Sequence, residues 1–194
     1  MRPVILWDVM GTLVHDPFYD EMPEFFGVSF DELLRQLKPG PWVEFELGKR
    51  TQSEFLVDFF ADGRDFDHAG FVECVREAYR WLPGMKELLA ELQAKGHGMH
   101  TLSNYPEWYQ MIEQRLEVSR FVDWTFVSCL ISMRKPDPDI YAHVIRELDV
   151  EPSHCVFVDD RESNCQAARD AGIHAIRFRG VEELRRALEE AGAL

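Results

Sequence analysis

The chain has 194 residues and a formal charge of −14, with 46% hydrophobic and 29% charged residues. That composition suits a soluble globular protein long enough to bury a core, and it excludes disorder. Its acidic field repels phosphate backbones and anionic membranes, so nucleic acid and membrane are excluded as partners, while a small phosphate ester can still bind at one local cationic site.

In chain order, Val4-Ile5-Leu6-Trp7 is apolar at every position, stops on Asp8, and is followed by a turn at Gly11-Thr12. An all-apolar run suits a strand covered on both faces, and in open parallel sheets ligands bind beyond the carboxyl ends of such strands. Asp8 is therefore expected to be a working group, although alone it could be a strand-end turn residue. Met10 is unusual beside it, because a thioether cannot exchange a proton. The apolar start is too short for a membrane span, and Asp8 breaks it as a signal segment, so a cytoplasmic location is expected. Cys74, Cys129, Cys155 and Cys165 lack Cys-x-x-Cys spacing. They are expected to be buried free thiols in a reducing cytoplasm rather than zinc ligands or a disulfide framework.

From about residue 15 to 81 the texture becomes aromatic and helical with no convincing buried strand. Helices are predicted over Phe30 to Leu37, Ser53 to Phe60 and Phe71 to Trp81, separated by Lys38-Pro39-Gly40-Pro41 and Ala61-Asp62-Gly63-Arg64. From Gly84 onward helix and strand alternate. Met85 to Lys95, Glu107 to Val118, Asp139 to Leu148 and Val181 to Ala191 are predicted helices. Gly98 to Ser103, Thr125 to Ser128, Cys155 to Val158 and Ile173 to Phe178 are predicted strands. A helix closed by Gly172 follows Asp159-Asp160. Alternating apolar strands and helices imply a mainly parallel α/β sheet.

Three of these strands end in polar residues: Asp8, Ser103-Asn104 and Asp159-Asp160. Arg134-Lys135-Pro136 sits on a loop before a helix. In a parallel sheet these ends share one edge. Separated carboxylates in one crevice can hold Mg²⁺, which prefers a few oxygen ligands plus water and phosphate. A nearby Lys and Ser can orient and neutralise phosphoryl oxygens. Each residue alone has a plainer role: Ser103-Asn104 as a turn, Lys135 as a solvated lysine, Asp159 or Asp160 as a helix cap, Asn164 as a solvent-facing helix residue.

Taken in order, Asp8-x-x-Gly11-Thr12-Leu13, Leu102-Ser103-Asn104, Lys135-Pro136-Asp137-Pro138 and Val158-Asp159-Asp160-x-x-x-Asn164 resemble the four motifs of the haloacid dehalogenase-like (HAD) hydrolase superfamily. The resemblance implies a Rossmann-like core from residues 1–14 and 82–194, and a small helical cap over 15–81. The segment from Trp42 to Gly48 also looks like the capped subgroup. It further implies Asp8 as a nucleophile forming an aspartyl-phosphate, Ser103 holding a phosphoryl oxygen, and Lys135 pairing with nucleophile and phosphate. Thr12 and Asn104 belong to the implied substrate-binding set. Mg²⁺ would be held by Asp8, the backbone carbonyl of Met10 and Asp160, with Asp159 beside it and Asn164 orienting the outer shell.

The departure from the family pattern is Met10, where phosphatases of the superfamily carry a second Asp that protonates the leaving group. Its loss is expected to slow alkyl phosphate hydrolysis and to spare esters with good leaving groups. Two other functions stay open. A 2-haloacid dehalogenase also lacks that Asp and needs no metal, although Asp159-Asp160 resembles the metal-binding version. A phosphate- or metal-binding regulatory module without turnover is the second. His15 could stand in for the missing acid or could be a hinge residue, while His97 and His100 have no metal-ligand partners at suitable spacing. Phe18, Tyr19, Phe25, Phe26, Trp42 and Phe45 are expected to be mostly core, with one or two lining the substrate pocket.

Overall fold

The structure is a computed structural model describing residues 2–194. Five strands, β1 (Val4–Trp7), β2 (Met99–Ser103), β3 (Asp123–Val127), β4 (Cys155–Asp159) and β5 (His174–Arg177), form one sheet in the order β3-β2-β1-β4-β5. Every pairing is parallel, as the apolar strands require. The chain builds outward from β1 to β3 and then returns to place β4 on the other side of β1. The crevice between β1 and β4 is therefore a topological switch point, where ligands bind in such sheets.

Between β1 and β2 lie α1 (Glu21–Phe26), α2 (Phe30–Gln36), α3 (Pro41–Glu46), α4 (Gln52–Val57), α5 (His68–Ala78) and α6 (Met85–Ala94). The later helices are α7 (Tyr109–Leu116), α8 (Ser128–Ile131), α9 (Pro138–Leu148), α10 (Glu162–Asp170) and α11 (Val181–Glu190). Local chemistry fixes several starts. Ser29 with Glu32 and Thr51 with Glu54 form complete capping boxes at α2 and α4, and Pro41 and Pro138 occupy the first turns of α3 and α9. The α/β class matches the expectation from sequence, and the predicted helices and strands are present with differences of one to a few residues at their ends, whereas α1, α3 and α8 are not among the predicted elements. The short α1, α3 and α8 carry too few turns to show a periodicity.

The two faces of the sheet are packed by different clusters. Ile5, Trp7, Val156 and Val158 belong to one, Leu6, Leu102, Phe157 and Cys165 to the other, so side chains alternate across β1 and β4 as a pleated strand dictates. The first cluster runs on into α1–α5, whose interior is aromatic. The Phe26 ring centroid lies 4.9 to 5.5 Å from those of Phe59, Phe60, Phe66 and Phe71. Tyr19 alone of the aromatics named from sequence is largely exposed, at 46%. All four cysteines are free thiols, but only Cys155 and Cys165 are buried; Cys74 and Cys129 are half-buried, contrary to the expectation that all four are buried. Among the described residues no helix is long and apolar enough to cross a membrane.

Candidate active site

Register brings the polar strand ends together. Trp7 is level with both Thr101 of β2 and Val158 of β4, and the Asp8 N–H donates to the Val158 carbonyl at 2.9 Å. Asp8 and Asp159 therefore emerge side by side at the switch point, with Ser103 on the neighbouring strand end. Beyond Asp8 the chain folds into a tight loop: the Val9 carbonyl accepts from Leu13 and Val14 at 2.9 Å each, and Gly11 takes φ +74°. A Cβ on Gly11 would lie 3.0 Å from Asp160 Oδ2. Only glycine lets this backbone turn and lets the Asp160 carboxylate approach it.

Lys135, in the loop ahead of α9, is the hub. Its Nζ donates to Asp8 Oδ1 at 2.8 Å and to Asp159 Oδ2 at 2.6 Å, and its side chain is 1% exposed. Asn104 positions it through reciprocal bonds, donating to the Lys135 carbonyl and accepting the Lys135 N–H, both at 2.8 Å. The solvated-lysine alternative is thereby excluded. Burial alone opposes the ammonium charge, but Asp159 and Asp8 more than offset it and hold the lysine above its usual range.

The nucleophile expected from sequence is buried and doubly held, since Thr12 Oγ1 also donates to Asp8 Oδ2 at 3.1 Å. Burial pushes Asp8 up to about 7, against the pull of Lys135 and with the repulsion of Asp159 and Asp160. Asn164 is buried rather than solvent-facing, and its Nδ2 donates to Asp159 Oδ1 at 3.1 Å and Oδ2 at 3.0 Å. The Arg161 N–H also donates to Asp159 Oδ1, at 2.8 Å, so that oxygen serves the turn into α10 while the other faces Lys135.

Carboxylate oxygens of Asp8, Asp159 and Asp160 lie within 4.8 Å of one another. Three carboxylates against the Lys135 ammonium and the nearby Arg161 guanidinium leave net negative charge at the strand edge, and a divalent cation with oxygen preference fits that donor set. Ser103 Oγ is fully buried and has no hydrogen-bond partner among the described residues, a donor left open at the strand end.

A cavity of about 200 Å³ opens over the site. Asp8, Met10, Asn104, Lys135 and Asn164 line it from the strand ends, whereas Ser103, Thr12, Asp159 and Asp160 do not reach its wall. Phe18 and Trp42 line it from the helical side, so two of the six aromatics named from sequence are pocket residues. Asp16, Glu46, Tyr105, Arg134 and Arg161 complete its polar and aromatic wall. Their roles were not apparent from sequence. Arg161 and Asp16 carry a faint signal, directly following Asp160 and lying just beyond the first motif. Glu46 is 6% exposed and is gripped by Arg134 Nη2 at 2.8 Å and Trp42 Nε1 at 2.7 Å. Burial raises its carboxyl above the usual range despite that cation.

His15 is tied to Glu21, Nε2 to Oε2 at 2.7 Å, and does not line the cavity. His97 bonds the Pro3 carbonyl and His100 the Thr125 hydroxyl, each through Nδ1 at 2.8 Å, as strand and turn residues.

A family model described as haloacid dehalogenase-like hydrolase matches residues 3–172. The chain belongs to this family. It is 44% identical over 190 residues, 98% of this chain and 78% of the relative, to flavin mononucleotide hydrolase 1 of Arabidopsis thaliana, named as chloroplastic. That name lends no support to the cytoplasmic location expected from sequence. A HAD family enzyme from Bacteroides thetaiotaomicron, solved as a magnesium complex, superposes with a TM-score of 0.79 at 20% identity, covering 96% of this chain and 98% of that one. L-2-haloacid dehalogenase from Xanthobacter autotrophicus superposes with a TM-score of 0.67 at 20% identity, covering 97% and 83%. The fold is thus common to a magnesium-bound HAD family enzyme and a dehalogenase, and the choice between activities rests on the site.

Proposed function

We propose that this HAD-like hydrolase is a Mg²⁺-dependent phosphatase acting on a small phosphate monoester through an aspartyl-phosphate on Asp8. The observation that carries the proposal is the convergence of Asp8, Asp159 and Asp160 around Lys135. Dehalogenation releases a halide that needs neither metal nor proton, so it gives no reason to crowd three carboxylates at one strand edge. Phosphoryl transfer depends on positioning and on neutralising the equatorial oxygens, which a bound cation and a buried lysine supply. Asp8, the Met10 carbonyl and Asp160 would hold the ion, and Asp159 with Asn164 would keep Lys135 and the surrounding oxygens in place. When bound, Mg²⁺ supplies Lewis-acid polarisation of the phosphoryl group.

In this scheme the Asp8 carboxylate attacks phosphorus, the ester P–O bond breaks and the alcohol departs. Water then attacks phosphorus, the bond to Asp8 breaks, and inorganic phosphate leaves. Lys135 and the open Ser103 hydroxyl orient the phosphoryl oxygens, and Asn104 holds the lysine loop. Helices α1–α5, residues 15–81, act as the cap, closing Phe18 and Trp42 over the phosphate and excluding water.

At about 200 Å³ the closed cavity is smaller than the roughly 300 Å³ typical of sites that enclose drug-sized ligands. It takes a phosphate and the first carbons of the alcohol, and a larger alcohol needs the cap to open. The name of the Arabidopsis relative makes flavin mononucleotide the first ester to try.

A panel of alkyl and aryl phosphates, assayed with Mg²⁺ and with chelator, tests the proposal. Turnover that requires Mg²⁺ and disappears in Asp8→Asn is expected. Chloride release from 2-chloropropionate without metal would establish the dehalogenase instead. Phosphate binding without turnover of any ester would establish the regulatory module.

A further inference from the structure

Met10 lines the cavity beside the nucleophile but has no proton to give, so an alkoxide leaving group needs its proton from elsewhere. The cavity wall offers three carboxyl groups, Asp8, Glu46 and Asp16. Asp8 is consumed as nucleophile. Glu46 has one oxygen on Trp42 Nε1 and the other on Arg134, leaving neither free to approach a substrate. Among the other titratable groups, Lys135 is committed to two carboxylates, and Tyr105 shares its hydroxyl with Tyr79 at 2.7 Å. Burial pushes both phenols upward, away from proton exchange near neutrality. His15 is held outside by Glu21.

Asp16 is left. Its Oδ1 is anchored by the Phe18 N–H at 3.0 Å, which orients the carboxyl without occupying Oδ2. It lies between β1 and α1 and shares the cavity wall with Arg161. Burial raises its carboxyl above the ordinary range, opposed by the Phe18 N–H and Arg161 and reinforced by Asp160.

We propose that Asp16 is the catalytic proton carrier that position 10 does not provide. This inference rests on the phosphatase reading above. In the first step the Asp16 carboxylic acid gives its proton to the bridging ester oxygen as that P–O bond breaks and the Asp8–phosphorus bond forms, so a neutral alcohol leaves. In the second step the Asp16 carboxylate takes a proton from the water attacking phosphorus. The Asp8–phosphorus bond breaks, phosphate leaves, and both carboxyl groups return to their starting state.

The test compares parent, Asp16→Asn, Asp16→Glu and Asp8→Asn on glycerol 3-phosphate and p-nitrophenyl phosphate with saturating Mg²⁺. An alkoxide needs the proton and nitrophenolate does not. For Asp16→Asn, kcat/KM on the alkyl ester should fall by about 10²- to 10⁴-fold while that on the aryl ester stays within about threefold. The aryl ester should also give a burst of nitrophenolate followed by slow turnover, because aspartyl-phosphate hydrolysis has lost its base. Asp16→Glu should recover part of the alkyl activity. Adding Met10→Asp to the Asp16→Asn protein should restore it further, with a far smaller gain in the parent. An equal loss on both esters makes Asp16 a structural part of the wall and overturns the inference, and so does loss on neither. No turnover of either ester by the parent, or turnover surviving Asp8→Asn, overturns the phosphatase reading and the inference with it.

Discussion

At the strand ends three carboxylates crowd one buried ammonium, whereas the interior of α1–α5 is filled with phenyl rings packed largely on one another. The two regions are held by different physics. Around Lys135 the contacts are directional and few, and Asp8, Asp159 and the lysine each have designated partners, so losing one group strands its neighbours. In the Phe26, Phe59, Phe60, Phe66 and Phe71 cluster the contacts are non-directional and many, so volume matters and identity matters less. Chemistry is therefore expected to fail sharply in the first region and stability to fail gradually in the second.

Asp8→Asn is expected to give the largest separation of the two. Turnover should fall on the order of 10⁴-fold or more, as when other covalent nucleophiles are removed. The melting temperature at neutral pH should hold or rise, because an amide replaces a carboxylate that burial disfavours. Lys135→Met should damage both properties: Asp8 and Asp159 would face each other unpaired, at a cost of about 3–5 kcal/mol, and Mg²⁺ should restore part of the stability as read from urea midpoints. Phe71→Ala should act on stability alone, costing about 3 kcal/mol for the cavity left in the aromatic cluster, with kcat preserved wherever the protein remains folded.

Gly48→Ala tests the seam between the regions. Gly48 has φ +68°, and a Cβ there would collide with the Cys129 carbonyl at α8. Near it the Ser128 hydroxyl donates to the Glu46 carbonyl and the Ser132 hydroxyl to that of Leu47. The substitution should cost about 1–3 kcal/mol and raise KM for phosphate esters more than it lowers kcat. A separate effect is in pH. The folded Asp8 carboxyl titrates at about 7 against an ordinary 3.8, so between these values the folded state keeps a proton the unfolded state has lost. Without metal, the stability of the parent relative to Asp8→Asn should fall as pH rises through that window and level off above it. A flat difference measured by urea titration from pH 4 to 8 would contradict the assigned burial.

The same contrast explains what the sequence disclosed. Strand-end chemistry is written in contiguous motifs, so Asp8, Ser103, Lys135 and Asp159-Asp160 stood out, and parallel register did the rest. Asn164 could be placed only by structure, because a polar residue on a helix looks the same facing solvent or facing Asp159. The cavity wall was harder still. Asp16, Glu46 and Tyr105 become neighbours only once α1 and α3 fold over the strand ends, and nothing in local pattern distinguishes Glu46 from the exposed Glu44 two residues earlier. Aromatic residues between 15 and 81 announced a packed helical unit but not which rings face the ligand: Phe18 and Trp42 do, while Phe45 is buried in the core.

The central claim is covalent catalysis by Asp8, and it is tested most directly by acid-quenching the enzyme during turnover of p-nitrophenyl phosphate with Mg²⁺ and mapping its peptides by mass spectrometry. One phosphoryl group on Asp8, accumulating further in Asp16→Asn and absent from Asp8→Asn, is the predicted result. Steady turnover with no phosphorylated peptide, or with the phosphoryl group on any other residue, would contradict it.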